Sequence, residues 1–107
     1  MESQFLDALA TRNEGEGDDD AAELIPLFLS ETEKLAVELK RAEQSGDELK
    51  VSRCMHRLRG SAAIYGFKSL ATFAASAETA PKAFLQQKLS GLLDDIVSRI
   101  SARYASA

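Results

Sequence analysis

Apolar side chains recur three and four residues apart along most of this chain, and the runs are broken by glycine, proline and polar clusters rather than by β-branched segments. At about 100° per residue that spacing gathers side chains onto one face of a helix. Phe5, Leu6 and Leu9 make a short first stripe, and Leu24, Phe28, Thr32, Leu35, Leu39 and Ala42 a long second one. Val51, Cys54, Met55, Leu58, Ala62 and Tyr65 form a third, Leu70, Phe73, Ala74 and Ala77 a shorter fourth, and Leu85, Leu89, Leu92, Ile96 and Ile100 the last. Each stripe must be covered by another, so helix packs on helix.

The breakers fix the boundaries. Residues 13–20 form a polar, acidic loop without periodicity. Asp20 is placed to cap a long helix, with Glu23 as its reciprocal partner, running to about Gln44. Pro26 falls within the first two turns, where its missing N–H is tolerated. Ser45-Gly46-Asp47 reads as a tight turn, Gly46 closing one helix in the left-handed conformation and Asp47 or Ser45 opening the next. The third helix reaches about Tyr65 and stops at Gly66; a shorter one spans about Lys68 to Glu78. Pro81 suits the first turn of a last helix to about Tyr104. Short connections make neighbours antiparallel, so the expected fold is all-α: an up-down-up-down four-helix bundle with a short additional N-terminal helix. Residues 1–107 are expected to be one domain, its core at about 20–104, with the short helix and acidic loop in 1–19. A coiled coil would need longer heptad runs without breakers.

Composition narrows the function. A chain of 107 residues holds one core and has no room for a nucleotide-binding kinase domain beside it. The net charge of −4 argues against sequence-independent nucleic-acid binding. No apolar run approaches the ~18 residues of a membrane span, and the acidic start lacks a signal-peptide pattern, so a cytoplasmic protein is expected. The initiating Met1 and the full set of helices favour a free-standing protein, and a monomer is expected. Cys54, the single cysteine, has no disulfide or zinc partner and lies on the core face, where a small buried hydrophobe is expected.

The chemistry centres on His56, the only histidine. With His56 at 0°, the apolar stripe of its helix falls between roughly 160° and 260°, so the imidazole points away from the core. Helical side chains lean toward the N-terminus, so a side chain at position 60 would lie over the ring. Gly60 has none, although glycine inside a helix costs about 1 kcal/mol relative to alanine. Arg59 leans the same way and offers forked donors to a phosphoryl group. A neutral imidazole, with a free pKa near ~6.5, is a nucleophile at neutral pH. Of the cations around it, Lys50, Arg53, Arg57, Arg59 and Lys68, the flanking Arg53 and Arg59 are the better candidates for a role. Leu49, Ser52, Arg53 and Ala63 share the wet face and form a candidate docking patch for a partner. A metal-bridged bundle is disfavoured because its Glu-x-x-His pairs point inward, whereas His56 faces out and position 53 is Arg. Ser61 lies on the core boundary without a second histidine to activate it.

The run His56-Arg57-Leu58-Arg59-Gly60-Ser61-Ala62, with Gly66 and then Phe67-Lys68-Ser69-Leu70, resembles the signature of histidine-containing phosphotransfer (HPt) domains of bacterial multistep phosphorelays. The likeness covers about residues 20–104, and its specific part about 49–70. Arg59 stands where the family usually has Lys, and Ala77-Glu78 where it usually has Leu-Glu. The resemblance implies that His56 is the phosphoacceptor, Arg59 stabilises phosphoryl charge and Gly60 keeps the site accessible. It also implies receiver domains of response regulators, or a hybrid histidine kinase, as partners. The receiver would supply the aspartate, a lysine and Mg²⁺, and this chain no cofactor of its own. Such a protein is a phosphotransfer intermediate rather than a stand-alone enzyme. The alternative is a non-catalytic adaptor that docks to receivers without carrying phosphate.

Overall fold

The computed structural model describes residues 3–13, 23–85 and 87–105. Among the described residues six α-helices follow one another: α1 Ser3–Leu9, α2 Ile25–Ser45, α3 Glu48–Ile64, α4 Lys68–Thr79, α5 Pro81–Leu85 and α6 Leu89–Ile100. A π-helical turn, Ser101–Ala105, extends α6. No strand occurs among the described residues, and no helix there is long and apolar enough to cross a membrane.

The turn residues act as their chemistry requires. Gly46 takes φ 68°, the left-handed conformation that closes α2, and Asp47 N–H reaches back to the Ala42 carbonyl at 2.9 Å. The Asp47 carboxylate then accepts the Lys50 N–H at 3.1 Å and opens α3. The chain thus reverses, bringing Glu38 against Cys54 and Arg57, and Phe28 against the Tyr65 ring with centroids 5.0 Å apart. Gly66, at φ 87°, makes the same kind of reversal between α3 and α4. Phe67 N–H closes it on the Ala62 carbonyl at 2.8 Å.

The α3 stripe is buried as expected: Val51, Cys54, Met55, Leu58, Ala62 and Tyr65 all lie in the core. Elsewhere the structure shifts the phase. Leu24, expected inside, is exposed, and Ile25 is buried in its place. Leu24 caps α2 from outside the helix, so a helical-wheel angle does not describe it. Asp20, expected to cap that helix, lies outside the described residues.

The expected single helix from Pro81 to Tyr104 is instead broken, because Lys88 adopts a left-handed φ of 52° between α5 and α6. The break resets the register. Leu89, Leu93, Ile96, Val97 and Ile100 form the buried face of α6, while Leu85 and Leu92 are only half-buried.

Two helices lack a local N-cap and borrow one from far along the chain. The Asn13 side-chain oxygen accepts Lys68 N–H at 3.2 Å at the start of α4, and Asn13 N–H donates to the Gly66 carbonyl at 2.8 Å. The Glu43 carboxylate takes both the N–H (2.7 Å) and the hydroxyl (3.2 Å) of Ser90 in the first turn of α6. Such contacts join elements of very different sequence position, and no local pattern announces them. Asp7 similarly ties α1 to the C-terminal end of the chain, pairing with Arg99 at 2.6 Å and Arg103 at 3.0 Å.

Cys54 is 2% exposed and donates to Glu38 Oε2 at 3.5 Å. Burial, and then that hydrogen bond to a carboxylate, push the thiol from 9.0 up to about 11. That rise lowers the thiolate fraction about 100-fold, so at about pH 8 iodoacetamide should label the denatured chain much faster than the folded one. The sign of the linkage follows. The folded state keeps the proton where the unfolded chain loses it, so this contribution is present below pH 9.0 and is lost as pH rises toward 11. Urea titrations across that window should show a steeper loss of stability for the native chain than for Cys54→Ala.

Candidate functional site

The α3–α4 hairpin builds the site. Its two helices are both rich in small residues, and the reversal at Gly66 and Phe67 sets their register. Positions 56 and 78 lie eleven residues on either side of Phe67, so an antiparallel pairing brings them level. His56 Nδ1 is 2.9 Å from Glu78 Oε2, and the other carboxylate oxygen, Oε1, accepts Arg59 Nε at 2.9 Å. Arg59 Nη2 also lies 2.9 Å from His56 Nδ1. One ring nitrogen cannot donate to a carboxylate and accept from a guanidinium at once. A carboxylate only accepts, and Arg59 already has a bond to Glu78, so the charge-assisted pair Nδ1–H to Glu78 is the arrangement the neighbours favour.

That assignment decides which nitrogen is reactive. With the proton on Nδ1, the lone pair is on Nε2, and among the described residues no hydrogen bond reaches Nε2. The His56 side chain is 62% exposed, Arg59 44%, and Glu78 only 23%. The carboxylate is the sheltered member; the histidine and the cation are the accessible ones. Imidazole, guanidinium and carboxylate together make a nucleophile with a fixed tautomer and a neighbouring positive charge.

The other expected site residues fall into three groups. Gly60 sits in open space: a Cβ built there meets no atom within 4 Å. Leu49, Arg53 and Ala63 are exposed on the face that carries His56. Ser52 is different, since it is half-buried and its hydroxyl donates to the Glu78 carbonyl at 2.9 Å. Around His56, Ser52, Arg53, Arg57 and Glu78 line a shallow depression of about 360 Å³. Arg57 also pairs with Glu38 of α2 at 3.1 Å. Lys68, grouped in the sequence with the cations near His56, instead lines a groove between α1 and α4 with Phe5 and Phe73. It starts α4, whereas His56 faces the end of that helix.

Glu78 is the member of this cluster that a residue-by-residue reading does not single out. Its signals were present: it is the only carboxylate in α4, and hairpin arithmetic places it level with the histidine. Among the described residues, no three His, Cys, Asp or Glu side chains converge as metal ligands.

A family model described as Hpt domain matches residues 23–103. No curated protein and no solved structure matches the chain. The matched segment includes α2, α3, α4 and α6 entire, and with them the His56, Arg59 and Glu78 cluster. The chain belongs to the Hpt domain family.

Proposed function

We propose that this protein is a phosphorelay intermediate in which His56 Nε2 accepts a phosphoryl group and exchanges it with aspartates of response-regulator receiver domains. One observation carries the reading: the Glu78 carboxylate lies 2.9 Å from Nδ1, which favours the proton there and leaves the lone pair on Nε2. In the transfer, the Nε2 lone pair attacks the phosphorus of an aspartyl phosphate and the P–O bond to the carboxylate breaks. The aspartate leaves as its carboxylate. Nδ1 keeps its proton, so the ring becomes cationic, and Glu78 stabilises that charge. Arg59 neutralises the phosphoryl oxygens beside the ring.

Mg²⁺ belongs with the receiver in this scheme, and the partner also brings the aspartate and a lysine. Leu49, Arg53 and Ala63 make the surrounding contact patch. The four longer helices are taken as an up-down-up-down bundle, and the protein as a cytoplasmic monomer. A docking adaptor that carries no phosphate would use the same face. The exposed lone pair, open approach and paired cation favour relay, because docking alone requires none of them.

His56→Gln separates the two readings. Incubated with a phosphorylated receiver, the native chain should acquire an acid-labile, base-stable mark and His56→Gln none; a mark on the variant would exclude His56. Since His56 is off the core face, the change should alter stability by no more than about 0.5 kcal/mol.

Gly60 tests access separately from folding. Open space at its Cβ means that Gly60→Ala should stabilise the domain by up to about 1 kcal/mol. Gly60→Gln should melt no lower than the native chain, yet its side chain leans over the ring, so transfer should slow at least about tenfold, or ~1.4 kcal/mol of barrier. A normal transfer rate in Gly60→Gln would remove the access role.

A further inference from the structure

Helix α4 ends at Thr79, and Pro81 forbids its continuation. The carbonyls of its last turn therefore lack helical N–H partners. The Ser76 carbonyl is satisfied locally, by Thr79 Oγ1 at 3.1 Å and Ala80 N–H at 3.2 Å, and Thr79 Oγ1 also reaches the Ala75 carbonyl at 3.3 Å. The Glu78 carbonyl is satisfied across the hairpin, by Ser52 Oγ at 2.9 Å. Ser52 lies one turn before His56 on α3, about 40° around the helix from it. Glu78 is thus gripped at both ends by one helix: its backbone by Ser52, its carboxylate by His56 and Arg59.

We propose that Ser52 is a positioning residue for His56, acting through the backbone of Glu78. The proposal rests on the phosphotransfer reading and adds to it the residue that keeps the acceptor nitrogen free. Terminal turns fray, and a frayed last turn would carry the Glu78 carboxylate away from the ring. The Nδ1–H bond would then be intermittent, and the imidazole would divide between its two tautomers. In the Nε2–H tautomer the outward nitrogen has no lone pair to attack with. Ser52 prevents this by fixing the residue that bears the carboxylate. Its hydroxyl is already bonded to Glu78, so its place is within the hairpin and not in the docking patch. Half-burial of the side chain agrees with that.

The test compares Ser52→Ala and Ser52→Thr with the native chain, using protein labelled with ¹⁵N in the imidazole. At about pH 8.5, where a free imidazole is neutral, the ring ¹⁵N shifts report the tautomer populations without any phosphoryl donor. The native ring should be mainly Nδ1–H. Ser52→Ala should fold, shift the population toward Nε2–H, and slow transfer from a phosphorylated receiver about three- to tenfold. Ser52→Thr keeps a hydroxyl and should restore both. An unchanged tautomer ratio in a folded Ser52→Ala would overturn the proposal whatever the transfer rate. If no protein accepts phosphate while the ratio still shifts, the positioning holds and the phosphotransfer reading alone fails.

Discussion

The site depends on one carboxylate shared between two cationic or potentially cationic groups. Glu78 sits at the less exposed centre, with His56 Nδ1 on one oxygen and Arg59 Nε on the other, each at 2.9 Å. A single exposed ion pair is worth little, because solvent screens it and the side chains lose freedom in forming it. Here the contribution is orientation more than stability. In the proposed transfer, the bond selects a tautomer, turns one nitrogen outward, and places negative charge where the ring would become positive.

Everything that brings α3 and α4 together supports that contact. The reversal at Gly66 sets the register, and Asn13, from near the start of the chain, secures the reversal by bonding both the Gly66 carbonyl and the Lys68 N–H. The core face of α3 is fully used, so the exposed positions of its outward face carry little packing duty. This division leaves His56, Gly60 and Arg53 open to the proposed chemistry on a helix whose other side is specified by packing. Gly60 shows the compromise most plainly: alanine would fit the space and suit the helix better, yet the position holds no side chain.

Much of this was legible in the sequence because helices announce themselves locally. The α3 stripe, the Gly46 and Gly66 reversals and the Asp47 cap depend on residues within a few positions of one another, and the periodicity found them. Failures came where distant parts of the chain meet or where the backbone leaves helical geometry. Leu24 falls on the core face of a helical wheel, but it lies outside the helix, where the wheel does not apply. The left-handed Lys88 broke the last helix at a place marked by neither glycine nor proline, and moved burial from Leu92 toward Leu93 and Val97. Ser52 resembled a surface residue until α4 supplied a carbonyl, and Glu78 had no visible role until the hairpin placed it beside the histidine.

The measurement that bears most directly on the central interaction is the position of phosphate on the ring. Phosphorylating the ¹⁵N-labelled protein with a small phosphoramidate donor, and following the scalar coupling from phosphorus to the ring nitrogens, identifies the bonded atom without a partner protein. With Glu78 holding Nδ1–H, the phosphoryl group should be found on His56 Nε2, with Nδ1 still protonated. Phosphate on Nδ1 would contradict the carboxylate's role, since that nitrogen would then have been free to react.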